Sequence, residues 1–235
     1  MATTWATLID RCESSLNDSG NAEWSTAEIA EWLNDFTRDY SQYFPLLKVQ
    51  TISCSAATKE YDLAADFMGV LSVEYPTGET PREYLQRITF NRPEFQNDGW
   101  YDVIEHSDDT DPAELWISTS PDDGEEIDVV YNGHHALIAN TASISGNTTI
   151  PPMHQPLAIK YVLWQATLNL LFAEQQAPTS NSSLLMSQYS QTARRLETSY
   201  HTAIRQALYA ADGVSKNVRW ISGDYSAENS LGRVY

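Results

Sequence analysis

The stretch that decides the fold is NDSGNAEWSTAEIAEWLNDF, residues 17–36, in which a polar turn runs into the start of a helix. Ser25 is a good N-cap, and Glu28 three residues later completes a capping box. Trp24 before the cap and Ile29 after it are spaced to form a hydrophobic staple. Apolar residues then recur at helical spacing: Ile29, Trp32, Leu33, Phe36 and Tyr40. The pattern predicts a helix that begins at Ser25 and ends near Pro45.

Three further helices are predicted on either side of a central region. The first shows an apolar face made by Trp5, Leu8, Ile9, Cys12 and Leu16, and is expected to end at the turn in residues 17–20. Residues 156–175 are apolar over most of the circumference, which predicts the most buried helix of the protein. The last helix should run from about residue 183 to 211, with Gly213 as its C-terminal cap.

The central region, residues 46–147, instead shows the short alternating patterns that are typical of strands. Leu71, Val73 and Tyr75 form one face of a predicted strand. Residues 115–131, LWISTSPDDGEEIDVVY, place two alternating runs around a turn and predict a β-hairpin. Residues 135–139 predict one more strand. Several short strands at this spacing favour a small antiparallel sandwich or barrel.

These elements predict an α+β fold: a four-helix bundle formed by the N- and C-terminal helices, an inserted antiparallel β sandwich or barrel-like region, and an extended C-terminal tail. The predicted domains are the N-terminal helix pair (1–45), the inserted β domain (46–150), the C-terminal helix pair (151–212) and the tail (213–235). The tail is polar, yet it carries aromatic residues that disordered tails normally lack. We therefore expect it to pack on its own chain or to dock on a partner.

Charge is the most unusual bulk property of the chain. The 14 Lys and Arg residues against 32 Asp and Glu residues give a net charge of −18. This balance argues against sequence-independent binding to nucleic-acid phosphates, which needs clustered positive charge. Residues 94–128 contain thirteen acidic residues and no Lys or Arg. That segment is expected to be a solvated loop face, or a surface that avoids DNA or meets a basic partner.

Membrane segments and disulfides are not expected. No apolar run approaches the length of about 20 residues that crosses a bilayer, and the first residues do not have the pattern of a signal peptide. Cys12 and Cys54 show neither metal-like nor redox-like spacing, so both are expected to be reduced thiols.

Motifs for catalysis, metal binding and cofactor binding are absent from the sequence. There is no phosphate loop, dinucleotide glycine pattern, nucleophile elbow or zinc-protease helix. Residues 108–111 resemble part of a calcium loop without its glycine and terminal glutamate, so a solvated turn is favoured over a cation site. His134 and His135 would point to opposite faces of a strand and could not share an ion. Glu125 and Glu126 lie beside a turn, where the burial that a glycosidase acid needs is not expected. We expect no catalytic residues, no metal ligands and no cofactor.

The helix start resembles that of head-to-tail adaptor (connector) proteins of tailed bacteriophages. In that family a segment W-S/T-x-x-E-[LI]-x-x-W-[LI]-N opens the second helix. The matching residues are Trp24, Ser25, Glu28, Ile29, Trp32, Leu33 and Asn34. Residues 150–171, IPPMHQPLAIKYVLWQATLNLL, resemble the start of the family's penultimate helix. The resemblance covers the two helical ends, about half of the chain.

The resemblance implies a structural protein of the virion neck, made in the host cytoplasm. It implies a ring of about twelve copies between the portal protein and the tail or nozzle proteins. Double-stranded DNA would pass through without sequence-specific binding, and no membrane is involved. The tail residues expected to dock on a partner are Arg219, Trp220, Tyr225, Arg233 and Tyr235. The alternatives are a tail-completion or gatekeeper ring of the same virion, then a glycan- or fibre-binding module, and last an enzyme.

Overall fold

A computed structural model describes residues 3–18, 20, 22–105, 112–141, 144–178 and 181–214. This described chain divides into two compact units. The helical unit contains the described residues up to Phe44 and those from His135 onward, and the β unit spans Pro45–His134. The β unit is therefore an insertion in the chain of the helical unit, and the protein is of mixed α+β class.

Four helices form the helical unit: α1 (Trp5–Leu16), α2 (Thr26–Tyr43), α3 (Gln155–Gln176) and α4 (Ser182–Val214). The first helix ends where the sequence predicts, because Asn17 adopts a left-handed conformation with a φ of 58° and its N–H bonds back to the last turn. The last helix continues through Gly213 to Val214. Gly213 therefore lies inside α4, and the predicted glycine cap is wrong.

One hydrophobic core receives side chains from all four helices and from the segment that precedes α3. The helical residues in it are Trp5, Leu8, Ile9, Cys12, Ile29, Ala30, Leu33, Phe36, Tyr40, Leu157, Ala158, Val162, Tyr200 and Ile204. Ile138 and Ile150 complete the cluster. Each fully buried Leu or Ile contributes about 1.5–3 kcal/mol. The apolar stripes predicted for α1 and α2 are thus the faces that enter the core.

The third helix is buried only along its first half. Its buried residues are Gln155, Leu157, Ala158, Val162 and Ala166. Between residues 167 and 176 no side chain is buried, although Leu168, Leu170, Leu171 and Phe172 lie there. The prediction that this would be the most buried helix is therefore wrong for its second half. A helix that is apolar around its whole circumference is expected to pack against other elements on every side. In the described chain, α3 is packed in this way only as far as Ala166.

Seven strands form one curled sheet in the β unit. They are β1 (Leu46–Ser53), β2 (Glu60–Asp62), β3 (Phe67–Glu74), β4 (Tyr84–Arg87), β5 (Trp100–Ile104), β6 (Glu114–Ile117) and β7 (Glu126–Gly133). Their order across the sheet is β1-β7-β3-β4-β5-β6-β2. The pairing of β4 with β5 is parallel and the other pairings are antiparallel.

A side chain bridges the two outer strands of this sheet. Gln50 of β1 donates from Nε2 to the carbonyl of Asp62, at 3.1 Å. Its Oε1 accepts from the N–H of Ala64, just after β2, at 2.9 Å. The sheet therefore curls far enough for its first and last strands to meet, in keeping with the barrel-like region expected from the sequence.

The predicted hairpin of residues 115–131 is wrong. Strand β6 pairs with β5 and β2, whereas β7 pairs with β1 and β3. The turn between them is tied to the end of β1, because the N–H of Cys54 donates to Glu125 at 2.7 Å and the N–H of Gly124 donates to Cys54 at 3.0 Å. Alternation fixes which face of a strand is buried, but it does not choose the neighbouring strand.

A β-bulge changes the predicted face of β3. Val70 lies opposite Tyr131 and Ser72 lies opposite Val130, so Leu71 is an extra residue in the ladder. Leu71 is consequently 41% exposed, while Val73 is fully buried. The alternation of Leu71 with Val73 and Tyr75 is therefore not one continuous face.

Candidate functional site

The joint between α1 and α2 is held by the carboxylate of Asp18. It accepts hydrogen bonds from the backbone N–H groups of Ala22, Glu23 and Trp24, at 2.8, 3.0 and 2.8 Å. These donors, that of Trp24 first, lower the pKa of Asp18. The turn that precedes α2 is therefore folded around one ionised, buried side chain.

The second helix begins with a complete capping box. Ser25 Oγ accepts from the N–H of Glu28 at 3.2 Å, and the carboxylate of Glu28 accepts from the N–H of Ser25 at 2.8 Å. The Ser25 hydroxyl also donates to Glu28, and these bonds lower the pKa of Glu28. Trp24 meets Trp32 edge-on, with 5.4 Å between ring centroids. Ile29 is fully buried in the core of the helical unit.

Two buried polar residues of α2 hold the segment that follows the β unit. Asn34 donates from Nδ2 to the carbonyl of Ile138 at 3.2 Å, and its Oδ1 accepts from the N–H of Ile138 at 2.8 Å. Ser41 Oγ accepts from the N–H of His135 at 3.0 Å. Residues 135–139 do not form the predicted strand, because α2 side chains rather than another strand bond their backbone.

His135 and His154 are structural side chains. His135 Nε2 donates to the carbonyl of Phe44 at 2.8 Å, which leaves Nδ1 to accept from the Thr149 hydroxyl at 2.8 Å. His154 Nδ1 lies 2.6 Å from the Tyr40 hydroxyl, and its ring packs against Phe44. Burial lowers the pKa of His154, so the ring is neutral at pH 7.

A tyrosine of α4 ties that helix to α2. The Tyr200 hydroxyl donates to the carboxylate of Asp39. The Tyr200 ring is fully buried against Phe36, Tyr161 and Trp164. Burial, together with the neighbouring Asp39 carboxylate, raises the pKa of Tyr200.

The remaining candidate residues divide into surface turns and positions outside the described chain. Glu125 accepts from the Tyr75 hydroxyl and from the N–H of Asp122, at 2.5 and 2.9 Å, so it stabilises a turn. The tail residues Arg219, Trp220, Tyr225, Arg233 and Tyr235, and the acidic run in residues 108–111, lie outside the described residues.

Sequence reasoning missed the roles of Asn34 and Ser41. Both residues lie about 80–100° from the predicted apolar stripe of α2, and their partners are about 100 residues away, so the local pattern contains no signal for them.

The side-chain hydrogen bonds of the described residues join helices, turns and loop segments to one another. Within them, no three His, Cys, Asp or Glu side chains are grouped so that they could hold a metal ion. In the same part of the chain, no helix combines the length and apolarity needed to cross a bilayer. Cys12 and Cys54 are both buried free thiols that form no disulfide. Burial raises the pKa of Cys12 to about 12.

Comparison with known proteins gives one family. A family model described as SU10 adaptor protein matches residues 3–214. No curated protein matches the chain. The matched range includes the helix start of residues 24–34, all four helices and the whole β unit, so it extends beyond the two helical ends that carried the resemblance. The chain belongs to the SU10 adaptor protein family, which is consistent with a head-to-tail adaptor of a bacteriophage.

Proposed function

We propose that this protein is a structural component of a phage neck, where it forms a ring that joins the portal to the tail. The observation that carries the proposal is the match to an adaptor family over residues 3–214. The described site supports it, because hydrogen bonds in and around the α1–α2 joint fix elements in place. We expect the protein to have no catalytic activity and to need no cofactor.

The proposed building block of the ring is a closed four-helix bundle of α1 to α4. The shared core of the four helices and the bond from Tyr200 to Asp39 support this arrangement. A defined angle at the α1–α2 joint makes every copy present the same surface, and a closed ring requires identical interfaces.

The negative charge of the chain suits a channel through which DNA passes. A ring of about twelve copies at −18 each would carry roughly −200 charges. Acidic residues on the channel wall repel phosphates, so packaged DNA would move without binding to the wall. The acidic segment of residues 94–128 is the proposed wall, and an outer-rim position for this segment in an assembled ring would contradict the proposal.

The C-terminal tail is the proposed docking element for the portal or a neighbouring copy. Its aromatic and arginine residues are of the kinds that dominate binding energy at interfaces. Deletion of residues 216–235 is expected to weaken binding to portal rings measured by surface plasmon resonance. Unchanged affinity would contradict a docking role for the tail but would not contradict the ring.

A binding experiment distinguishes an adaptor from a tail-completion ring. The adaptor is expected to bind purified portal rings directly and to appear beneath them in negative-stain images. A tail-completion protein would bind only heads that already carry an adaptor. Binding to glycans or to fibres by the intact protein, without portal binding, would favour the binding-module hypothesis instead.

A further inference from the structure

The second half of α3 presents apolar side chains that the described chain leaves partly uncovered. Leu168, Leu170 and Leu171 are half-buried, and Phe172 is 53% exposed. The two helices run antiparallel, because Ser182 at the start of α4 bonds Glu174 near the end of α3, and Ser199 further along α4 accepts from Lys160 near the start of α3. We call residues 167–176 the distal half of α3. An apolar composition of this kind is typical of a helix that has neighbours on several sides, and α4 alone does not provide them.

The solvent-facing side of α4 carries a row of side chains that is unusual for a solvated helix. At about 100° per residue, nine exposed residues fall within an arc of about 100°. Four of them are neutral and polar: Ser187, Gln191, Thr198 and Thr202. The other five are Leu184, Arg194, Arg195, Arg205 and Tyr209, and we call these five the α4 stripe. Leu184 is 60% exposed and Tyr209 is 76% exposed. The buried residues Ala193, Tyr200 and Ile204 lie on the opposite side of the helix.

The arginines of the α4 stripe have no partner in the described chain. None of Arg194, Arg195 and Arg205 forms an ion pair with a described residue. Glu197, the acidic residue nearby on α4, falls outside the arc of the stripe. A protein with 32 acidic and 14 basic residues thus keeps three cations together and unpaired on one helix face.

The complementary charge lies on α2. Glu28, Glu31 and Asp35 are exposed and lie within about 60° of one another around the helix axis. We call them the α2 acidic face. Asp35 pairs with Arg38 on its own helix at 2.9 Å, whereas Glu31 forms no ion pair with a described residue. Glu28 also accepts hydrogen bonds from Ser25, so among the described residues Glu31 is the unpaired member of the α2 acidic face. The helical unit therefore displays a net negative face on α2 and, within the described chain, three unpaired arginines on α4.

We propose that the α4 stripe and the distal half of α3 of one copy dock against the α2 acidic face of the next copy. This proposal rests on the ring proposed above and names the surface that closes it. Two different faces of the same chain generate a head-to-tail contact, which is the type that closes rings of more than two copies. Arginine and aromatic side chains beside apolar ones form the composition found at the centre of protein interfaces.

Charge reversal on either face tests the proposal. The variant R194E/R195E makes the α4 stripe acidic, and E31K/D35K makes the α2 acidic face basic. Each variant alone would bring like charges together, so the concentration needed for half-assembly should rise by about tenfold or more. An equimolar mixture restores opposite charges at every interface and should give rings in which the two chains alternate. Mass photometry at fixed low ionic strength measures all three samples.

Controls separate the surface from folding and from net charge. All four substituted side chains are exposed, so the circular dichroism melt of R194E/R195E should match that of the native chain. E31K/D35K also loses the exposed pair of Asp35 with Arg38, so its free energy of unfolding should fall by no more than about 1 kcal/mol. Arg92 is exposed on the β unit, and R92E changes the charge by as much as R195E does. R92E should leave assembly unchanged, while R195E should weaken it.

The outcomes distinguish this surface from the ring itself. Native chain that stays monomeric, alone and with portal rings, contradicts both the ring and the surface. If the native chain forms rings and each variant alone also forms intact rings, the proposed surface is contradicted but the ring is not. Variants that lose assembly but are not restored by mixing also contradict it, and would indicate that the arginines bind another component such as the portal or DNA. Restoration by mixing is the result that the proposed contact predicts.

Discussion

Single polar residues determine how the first two helices meet. Asp18 receives three backbone N–H donors, and Ser25 and Glu28 satisfy each other at the start of α2. Unpaired N–H groups at a helix start are costly when they are buried, so these side chains favour one geometry for the turn. The α1–α2 joint is consequently fixed by hydrogen bonds that depend on ionised carboxylates.

The lowered pKa of Asp18 predicts an acid-sensitive joint. A group whose pKa is lower in the folded than in the unfolded protein stabilises the fold above the unfolded value of about 4. That stabilisation is lost as the pH falls through the lowered folded value. Asp18→Asn should therefore lower the melting temperature at pH 7 and reduce the further loss of stability between pH 4 and pH 2. Circular dichroism melts across this range provide the measurement.

Asp10→Asn is the matched control for this prediction. Asp10 is exposed on α1, and its carboxylate accepts no hydrogen bond from a described residue. Its replacement should leave both the melting temperature and the acid dependence close to those of the native protein. Equal effects of the two substitutions would contradict the role assigned to Asp18.

Substitution of Asn34 is expected to lower the stability of the protein more than substitution of Asp18 does. It bonds both backbone groups of Ile138 in a buried position, so Asn34→Ala leaves a buried donor and a buried acceptor unsatisfied. The free energy of unfolding should fall by about 2–6 kcal/mol, at about 1–3 kcal/mol for each group. Urea denaturation measures the change. Asn169→Ala, at an exposed position of α3, should alter it by less than about 0.5 kcal/mol.

Among the elements, the outer strands of the sheet in the β unit are joined by a side-chain bridge. Gln50 is the residue whose side chain joins β1 to the end of β2. Antiparallel pairing along β7 explains why β1 is ordered, but backbone pairing does not join β1 to β2 in the described sheet. The curl of the sheet is therefore stabilised by a side-chain amide as well as by backbone ladders.

Gln50→Ala should weaken the connection between β1 and the end of β2. Two hydrogen bonds worth about 1 kcal/mol each are lost, and the backbone N–H of Ala64 loses its acceptor. Hydrogen exchange at Ala64 should accelerate more than exchange in β7, as measured by NMR. Gln86→Ala, at an exposed position of β4, is the control and should not change exchange at Ala64. Uniform acceleration across the whole sheet would show instead that the substitution destabilises the unit globally.

The helices were predictable from the sequence because their signals are local. Ser25, Glu28 and the apolar stripe of α2 specify one helix start and one buried face without reference to the rest of the chain. Among the strands, β3, β6 and β7 overlap predicted alternating runs, whereas the run of residues 135–139 forms no strand and β1, β2 and β5 are not predicted. The partners of the predicted strands could not be read from the sequence. β6 and β7 are close in sequence and are predicted to form a hairpin, yet β6 pairs with β5 and β2, and β7 pairs with β1 and β3.

The burial of α3 shows a second limit of the sequence. Its pattern indicates apolar contact around the whole helix, and the described chain provides that contact only for the first half. A sequence pattern reports contacts in the working assembly and does not separate those within one chain from those between copies. The buried polar pair Asn34 and Ser41 was equally invisible, because its partners lie about 100 residues away in the sequence.

At the scale of the whole molecule, the distribution of charge and apolar surface points to assembly. The chain carries −18 charges, yet α4 presents three unpaired arginines next to exposed apolar residues. Self-repulsion from net charge keeps copies apart, so stable association requires a local contact that overcomes it. The α4 stripe and the α2 acidic face supply opposite charges for such a contact.

Imaging of the purified protein, with and without portal rings, tests the central claim most directly. The account predicts closed rings of about twelve copies and about 320 kDa, from chains of 26.4 kDa, seated beneath the portal. Negative-stain class averages show the symmetry, and mass photometry of the same sample gives the mass. Monomers of 26.4 kDa that neither close into rings nor bind the portal at micromolar concentration would contradict the account.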